Sequence, residues 1–188
     1  MTYAVISDTH GNIDALTAVL NETEKLKIDS YIFAGDYSSY LPYPNETVEK
    51  IRSIKNAIVI KGNEEGYLDE YAKQDQNTWT DGQFQAHYWL YKTLTESNHA
   101  YLKALPENTV FNDGSIKITV THMSSDLYGT IEYKSFSSNK IAQKYATNFI
   151  CRDTILHDIQ EYVSTSSDFH EAIQPLANGV YIFGHTHI

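Results

Sequence analysis

The sequence predicts an α/β protein with a parallel or mostly parallel sheet. Two patterns support this prediction: short apolar runs alternate with stretches of helical apolar spacing, and the first third of the chain has the order strand, helix, strand, helix, strand. Its 188 residues, of which 41% are hydrophobic and 20% charged, suffice for one domain with a substantial core. We therefore predict a single domain over residues 1–188.

The first elements are read from apolar runs and their flanking residues. Strands are predicted at 3–7, 31–35 and 57–63, where "YAVIS", "YIFAG" and "AIVIKGN" form short apolar runs. A helix is expected from Asn12, whose side chain can cap the first turn. A second helix is expected over 44–54, which begins with a proline and keeps its apolar residues on one face.

The middle and the end of the chain complete the prediction. A helical insert is expected around 66–106, and "TVFNDGSIKITVTH" predicts a hairpin that turns at Asn-Asp-Gly. Beyond residue 123 the pattern is weaker, with a helix at 153–163, a loop at 164–168 and a last strand at 180–183.

Composition excludes several classes of function. The net charge of −10 argues against a non-specific nucleic-acid surface or an anionic-membrane surface, because both need clustered Lys and Arg. Cys151 is the single cysteine, which rules out an internal disulfide and favours a reducing compartment. The chain has neither a run of about 20 apolar residues nor a signal-peptide pattern, so we predict a cytoplasmic protein.

Polar residues capable of binding metals follow five of the predicted strands directly. Such residues taken singly are usually turn or capping residues, but five strand ends that all carry metal-capable groups favour a site. The residues are Asp8, His10, Asp36, Asn63, His122, His185 and His187.

This donor set combines imidazoles, carboxylates and one amide oxygen. It suits Mn, Fe, Zn or Ni better than Ca or Mg, and the absence of thiolates argues against a structural zinc site. Seven ligands are too many for one ion. Two ions about 4 Å apart and bridged by a carboxylate would use them all, and such pairs carry out phosphoryl chemistry.

The segments "DTHGN", "GD", "GNEE", "THMS" and "GHTH", in this order, resemble the calcineurin-like metallophosphoesterase superfamily, and within it the small bacterial YfcE-like phosphodiesterases. The resemblance implies a four-layer α/β/β/α sandwich of two mixed sheets flanked by helices. It also implies two divalent metal ions, with Mn foremost, and an in-line attack on phosphorus by a hydroxide that bridges them.

The resemblance also implies a role for each site residue. Asp36, Asn63 and His122 become catalytic residues, and Glu64 is a further catalytic candidate. Asn12 and Asn63 become substrate-binding residues, although helix capping is an equally good explanation for Asn12. One ion would be held by Asp8, His10 and His187, the other by Asn63, His122 and His185, with Asp36 bridging the two.

Two departures from the family pattern stand out. Many members have a histidine after Gly-Asn, where this chain has Glu64, so Glu64 must turn away from the phosphate or raise its pKa, and general-acid catalysis is in doubt. His87 is a remote candidate for the missing acid. The family continues with further strands after Gly-His-x-His, so we expect a C-terminally truncated chain that lacks those strands.

Several functions and partners stay open. The leading prediction is a phosphodiesterase acting on a small phosphoester; a protein phosphatase or dinucleoside-polyphosphate hydrolase is less favoured, because "GDYSSYLP" lacks their phosphate-binding arginine. A catalytically weak scaffold protein of the same fold is the alternative from another class. A homo-oligomer is possible. We expect Tyr37, Tyr40 and Tyr43 to serve loop packing rather than a substrate pocket.

Overall fold

The computed structural model describes residues 1–79, 82–123 and 177–185. Residues 1–123 and 179–188 belong to one compact unit, and 124–178 to a second unit of which only residues 177 and 178 are described. The helix predicted at 153–163 and the loop predicted at 164–168 lie outside the described residues. The single-domain organisation stays a prediction.

The first sheet is parallel, as the alternation of strands and helices predicted. Its strands are β1 (Tyr3–Ile6), β2 (Ser30–Phe33) and β3 (Ala57–Val59), in that order, with Val5 paired to Ile32 and Ile32 paired to Ile58. The crossover helices α1 (Ile13–Lys25) and α2 (Pro44–Arg52) connect these strands. The Asn12 side chain accepts a hydrogen bond from Ala15 N–H and thereby caps α1.

The second sheet is mixed. The predicted hairpin is formed by β4 (Asn108–Asp113) and β5 (Ile116–Thr121), and Gly114 adopts a φ of 62° at its turn. The last described strand, β6 (Val180–Ile182), pairs with β5 in parallel. This pairing sends the ends of β5 and β6 in the same direction.

The middle of the chain is helical, as predicted. It contains α3 (Asn63–Tyr71), α4 (Gln85–Thr93) and α5 (Glu96–Ala104), together with two short 3₁₀ turns at Gln76–Thr78 and Gly82–Phe84. The predicted start at 66 was too late, because α3 begins at Asn63. Of the described residues, no helix is long and apolar enough to cross a membrane.

Alternation along β2 creates the layers of the fold. Phe33 faces the helices, in a core that includes Leu16, Val48 and Leu90. Ile32 and its neighbour Ala34 face the other way, against Ile118 and Val120 of the second sheet. The protein is therefore an α/β sandwich of two sheets flanked by helices. The prediction of a fourth, helical layer concerns residues outside those described.

Tyr37 fixes the backbone where β2 leaves the sheet. Its hydroxyl lies 2.8 Å from the carbonyl oxygen of Phe33 and 2.6 Å from that of Ile60, and it accepts a hydrogen bond from Gly35 N–H. The ring is buried in the core beside Phe33. Tyr37 therefore packs the loop that follows β2, as expected from the sequence.

We predict that Tyr37→Phe lowers the free energy of unfolding by about 1–3 kcal/mol, because buried backbone groups lose their polar partner. Chemical denaturation measures the change. Tyr43→Phe is the matched control, since this side chain is 46% exposed, and its effect should stay within about 0.5 kcal/mol. Equal effects of the two substitutions would contradict the assignment.

Candidate metal centre

Six of the seven residues predicted to bind metal are described, and they meet because five strands end at one place. Asp8, Asp36 and Asn63 follow β1, β2 and β3 at the carboxyl edge of the parallel sheet. His122 and His185 follow the parallel strands β5 and β6 of the second sheet. The loops are joined there: Asp8 N–H donates to Gly35 O at 3.0 Å, and Gly184 N–H donates to His122 O at 3.0 Å.

The ligand atoms form two groups that share one carboxylate. Asp36, His122 and His185 place their potential ligand atoms within 4.8 Å of one another, and Asp8, His10 and Asp36 do the same. Asp36 belongs to both groups, and its predicted bridging role stays a prediction. His187 lies outside the described residues, so its predicted role stays a prediction.

His122 shows why this donor set fits a cation. Its Nδ1 lies 2.6 Å from Ala34 O, an atom that can only accept, so Nδ1 carries a proton. Its Nε2 then faces Asn63 Oδ1 at 3.0 Å and Asp36 Oδ2 at 3.2 Å. Three lone-pair-bearing atoms that converge in this way require a proton or a metal ion between them.

The electrostatics of this pair agree with a cation site. Burial alone would lower the pKa of His122, but the hydrogen bond to Asp36 and the negative charge of Asp36 outweigh it and raise that pKa to about 9. Burial would raise the pKa of Asp36, yet its hydrogen bond with His122 and the imidazolium charge hold it below its usual value. The surroundings thus favour positive charge at the point where Nε2 and the carboxylate meet.

His10 is oriented by a neighbouring hydroxyl. Its Nδ1 lies 2.7 Å from Ser39 Oγ, and both side chains are buried. Its Nε2 is thereby directed toward Asp8, whose Oδ1 lies 3.9 Å away. A hydrogen-bond partner on one ring nitrogen is the usual way in which proteins orient a histidine for metal binding through the other.

Backbone strain is concentrated at these residues. Six non-glycine residues in the described part of the chain have positive φ, and four of them are predicted ligands. Positive φ is uncommon outside glycine and persists only where the surrounding structure enforces it, often at functional sites. The four are Asp8 (φ 55°), His10 (φ 48°), Asp36 (φ 57°) and His185 (φ 75°).

Among the glycines that precede predicted ligands, Gly35 and Gly62 are required by close approach between the ends of two strands. Gly35 has a φ of 98°, and a Cβ there would lie 2.5 Å from His122 Nδ1. A Cβ on Gly62 would collide with the carboxylate of Asp36. The Gly-Asp and Gly-Asn pairs seen in the sequence therefore allow the two strand ends to approach each other.

Glu65 is a structural residue that the sequence analysis missed. Its carboxylate accepts hydrogen bonds from the backbone N–H groups of Asp36, Tyr37 and Gly62 at 2.9, 2.9 and 3.0 Å. Burial and the charge of Asp36 raise the pKa of Glu65 to about 7. Its third position in α3, from which Glu reaches back to the residue before the helix, was the available signal.

The Glu64 carboxylate lies among the side chains of Tyr40, Asn63 and His87. Its Oε1 accepts hydrogen bonds from Tyr40 at 3.0 Å and from Asn63 Nδ2 at 3.3 Å. Its Oε2 lies 2.9 Å from His87 Nε2, at an angle that misses hydrogen-bond geometry. The side chains of Glu64 and His87 are both buried. His87 belongs to α4, and this helix therefore provides a polar neighbour for the Glu64 carboxylate.

The remaining candidates divide between structure and surface. Asn12 caps α1, and its predicted contact with substrate stays a prediction. Loop packing does not describe Tyr40 and Tyr43, which are 54% and 46% exposed. Sequence patterns could not show this, because exposure of a loop tyrosine depends on where the loop folds.

The comparison with known proteins agrees with this geometry. The sequence profile of the family described as calcineurin-like phosphoesterase matches residues 1–188. The chain therefore belongs to the calcineurin-like phosphoesterase family, as its ordered motifs predicted.

Individual relatives are similar over part of their length. The uncharacterized protein MJ0912 of Methanocaldococcus jannaschii is 32% identical over 119 residues, which is 63% of this chain and 48% of that protein. A metallophosphoesterase from Sphaerobacter thermophilus has a TM-score of 0.54 and 28% identity, covering 67% of this chain and 48% of its own. The hypothetical protein PH1004 from Pyrococcus horikoshii OT3 has a TM-score of 0.51 and 26% identity, covering 62% and 52%. The chain thus spans about half the length of these relatives.

We predict that Glu65→Gln destabilises the fold by about 1–3 kcal/mol, because an amide nitrogen cannot accept and leaves at least one buried backbone N–H without a partner. Glu70→Gln is the control on the same helix: Glu70 is exposed and pairs with Lys73 at 2.9 Å, so its loss should cost less than about 0.5 kcal/mol. Denaturant titration compares the two, and a neutral Glu65→Gln would contradict the role given to Glu65.

Proposed function

We propose that this chain is a metal-dependent phosphodiesterase that binds two divalent ions at the cluster around Asp36. Membership of the calcineurin-like phosphoesterase family supports a phosphoric ester hydrolase. The observation that carries the two-ion proposal is the sharing of Asp36 between two groups of ligand atoms. A single bound ion would not require a carboxylate that is common to two sets of ligand atoms.

The proposed ligands divide as the two groups do. Asp8, His10 and His187 would hold one ion, and Asn63, His122 and His185 the other, with Asp36 between them. Ions bound there would activate water near neutral pH and neutralise the charge of the phosphate oxygens. Mn is the first choice and Fe, Zn or Ni the alternatives, because imidazole, carboxylate and amide ligands suit these metals.

Backbone N–H groups of the protein orient two of the proposed ligands. Glu64 N–H donates to Asp36 Oδ1 at 3.0 Å, and His185 N–H donates to both carboxylate oxygens of Asp8 at 3.1 Å. These bonds fix the orientation of two carboxylates before a substrate arrives. A site organised in advance loses little free energy to rearrangement during the reaction.

Substrates with good leaving groups should be favoured. Glu64 occupies the position that follows Gly-Asn, and its carboxylate accepts hydrogen bonds from Tyr40 and from the Asn63 amide and lies beside His87. A leaving oxygen would therefore lack an obvious proton donor from this position. The proposed substrate is a small phosphodiester; a cytoplasmic location and a homo-oligomeric state stay predictions.

The scaffold alternative is the less favoured reading of the same fold. A non-enzymatic member is free to lose its ligands, whereas six of the seven ligand positions are described here and all six converge at the sheet edges. Protein phosphatase or dinucleoside-polyphosphate hydrolase activity also stays below phosphodiesterase activity, since the loop after Asp36 carries no arginine.

We predict that the Mn-loaded chain hydrolyses bis-p-nitrophenyl phosphate and that Asp36→Asn or His122→Ala lowers kcat/KM by at least about 100-fold, because each removes a ligand. Release of p-nitrophenolate measures the rate. Asp14→Asn, a change to an exposed acid on α1, serves as the control and should leave the rate within about twofold.

The proposal also predicts that activity depends on a bound metal ion. Chelation should abolish turnover, and Mn should restore it. If the metal-loaded chain hydrolyses no member of a panel of phosphomonoesters and phosphodiesters, or if Asp36→Asn is as active as the parent chain, the proposed function is wrong.

A further inference from the structure

Tyr40 lies beside the candidate metal centre and is partly exposed to solvent. The ring centroid is 5.2 Å from that of His10, in an edge-on arrangement, and the residue is 54% exposed. A single exposed tyrosine on a protein surface needs no explanation. Tyr40 differs from such a residue because three features restrain it: a hydrogen bond of its hydroxyl, its backbone conformation and the contacts of its two neighbours in the chain.

The first restraint is its hydroxyl. Tyr40 donates to Glu64 Oε1 at 3.0 Å, and Glu64 is only 4% exposed. His87 Nε2 in turn lies 2.9 Å from Glu64 Oε2, with the His87 side chain packed edge-on against Tyr40 at a centroid distance of 5.7 Å. A buried carboxylate and a buried imidazole thus hold the position of one exposed ring, although burial of such groups is costly.

The second and third restraints are in the backbone. Tyr40 has a φ of 70°, a strained conformation for a residue with a bulky side chain. On its two sides, Leu41 N–H donates to His10 O at 3.0 Å, and Ser39 Oγ contacts His10 Nδ1 at 2.7 Å. The loop that carries Tyr40 is therefore attached to the loop that carries His10.

We propose that Tyr40 is a stacking surface for a planar ring in the organic part of the phosphoester, so that the substrate class is a phosphoester with an aromatic or heteroaromatic group near the phosphate. This inference rests on the proposed function. A ring fixed in advance binds another ring without loss of side-chain entropy, which explains why strain and buried polar groups are retained around it. Glu64 and His87 are positioning residues in this arrangement.

Two phosphate ligands that differ in one ring test the proposal without catalysis. Adenosine 5′-monophosphate and ribose 5-phosphate carry the same phosphate and sugar, and titration calorimetry on the Mn-loaded chain compares their affinities. The ring should strengthen binding by about tenfold, and Tyr40→Ala should remove most of that preference. Tyr40→Phe, which keeps the ring and loses the hydroxyl bond to Glu64, should retain an intermediate preference.

A kinetic comparison uses two diesters with the same leaving group. The p-nitrophenyl ester of thymidine 5′-phosphate carries a base, and methyl p-nitrophenyl phosphate carries no second ring. The ratio of their kcat/KM values should fall by about tenfold in Tyr40→Ala, mainly through KM of the thymidine ester. Tyr43→Ala is the matched control, since Tyr43 is also exposed and lies three residues further on, and it should leave the ratio unchanged.

The outcomes separate this inference from the proposed function. If methyl p-nitrophenyl phosphate is hydrolysed but the parent chain shows no preference for ring-bearing ligands, or Tyr40→Ala keeps that preference, the stacking role is wrong and the phosphodiesterase proposal stands. If the parent chain neither binds ribose 5-phosphate nor hydrolyses either diester, both proposals are wrong. Circular dichroism of Tyr40→Phe and Tyr40→Ala verifies that each variant is folded.

Discussion

The Asp36 carboxylate is the group on which the rest of the site depends, because among the described residues it is the acid that belongs to both ligand groups. A buried carboxylate at a strained φ of 57° does not hold its place unaided. Glu65 binds its backbone N–H, Glu64 N–H binds its Oδ1, and His122 faces its Oδ2. The start of α3 and the end of β5 thus converge on one residue, and the glycines at 35 and 62 permit their approach.

The sequence carried most of this arrangement in its pattern of strand ends. Because β1, β2 and β3 are parallel, Asp8, Asp36 and Asn63 had to reach the same edge of the sheet, and periodicity was enough to predict it. In the second sheet, the parallel pairing of β5 and β6 places His122 and His185 together, and packing of the two sheets brings them to the first group. Family resemblance then supplied the pairing of ligands with ions, which spacing alone could not.

What the sequence could not show depends on contacts between distant elements. Whether Glu64 faces the phosphate depends on the start of α3 at Asn63 and on where α4 places His87, and neither follows from local pattern. The same holds for Tyr40, whose exposure and fixed hydroxyl are properties of the folded loop. Glu65 was recognisable as a residue in the first turn of a helix, but its three backbone partners come from two different loops.

The central claim is that two ions share Asp36, and anomalous diffraction from crystals of the Mn-loaded chain tests it most directly. Two anomalous peaks are expected about 4 Å apart, on either side of the Asp36 carboxylate. His10 should be close to one peak, and His122 to the other. A single peak at full Mn loading, or two peaks of which only one contacts Asp36, would contradict the claim.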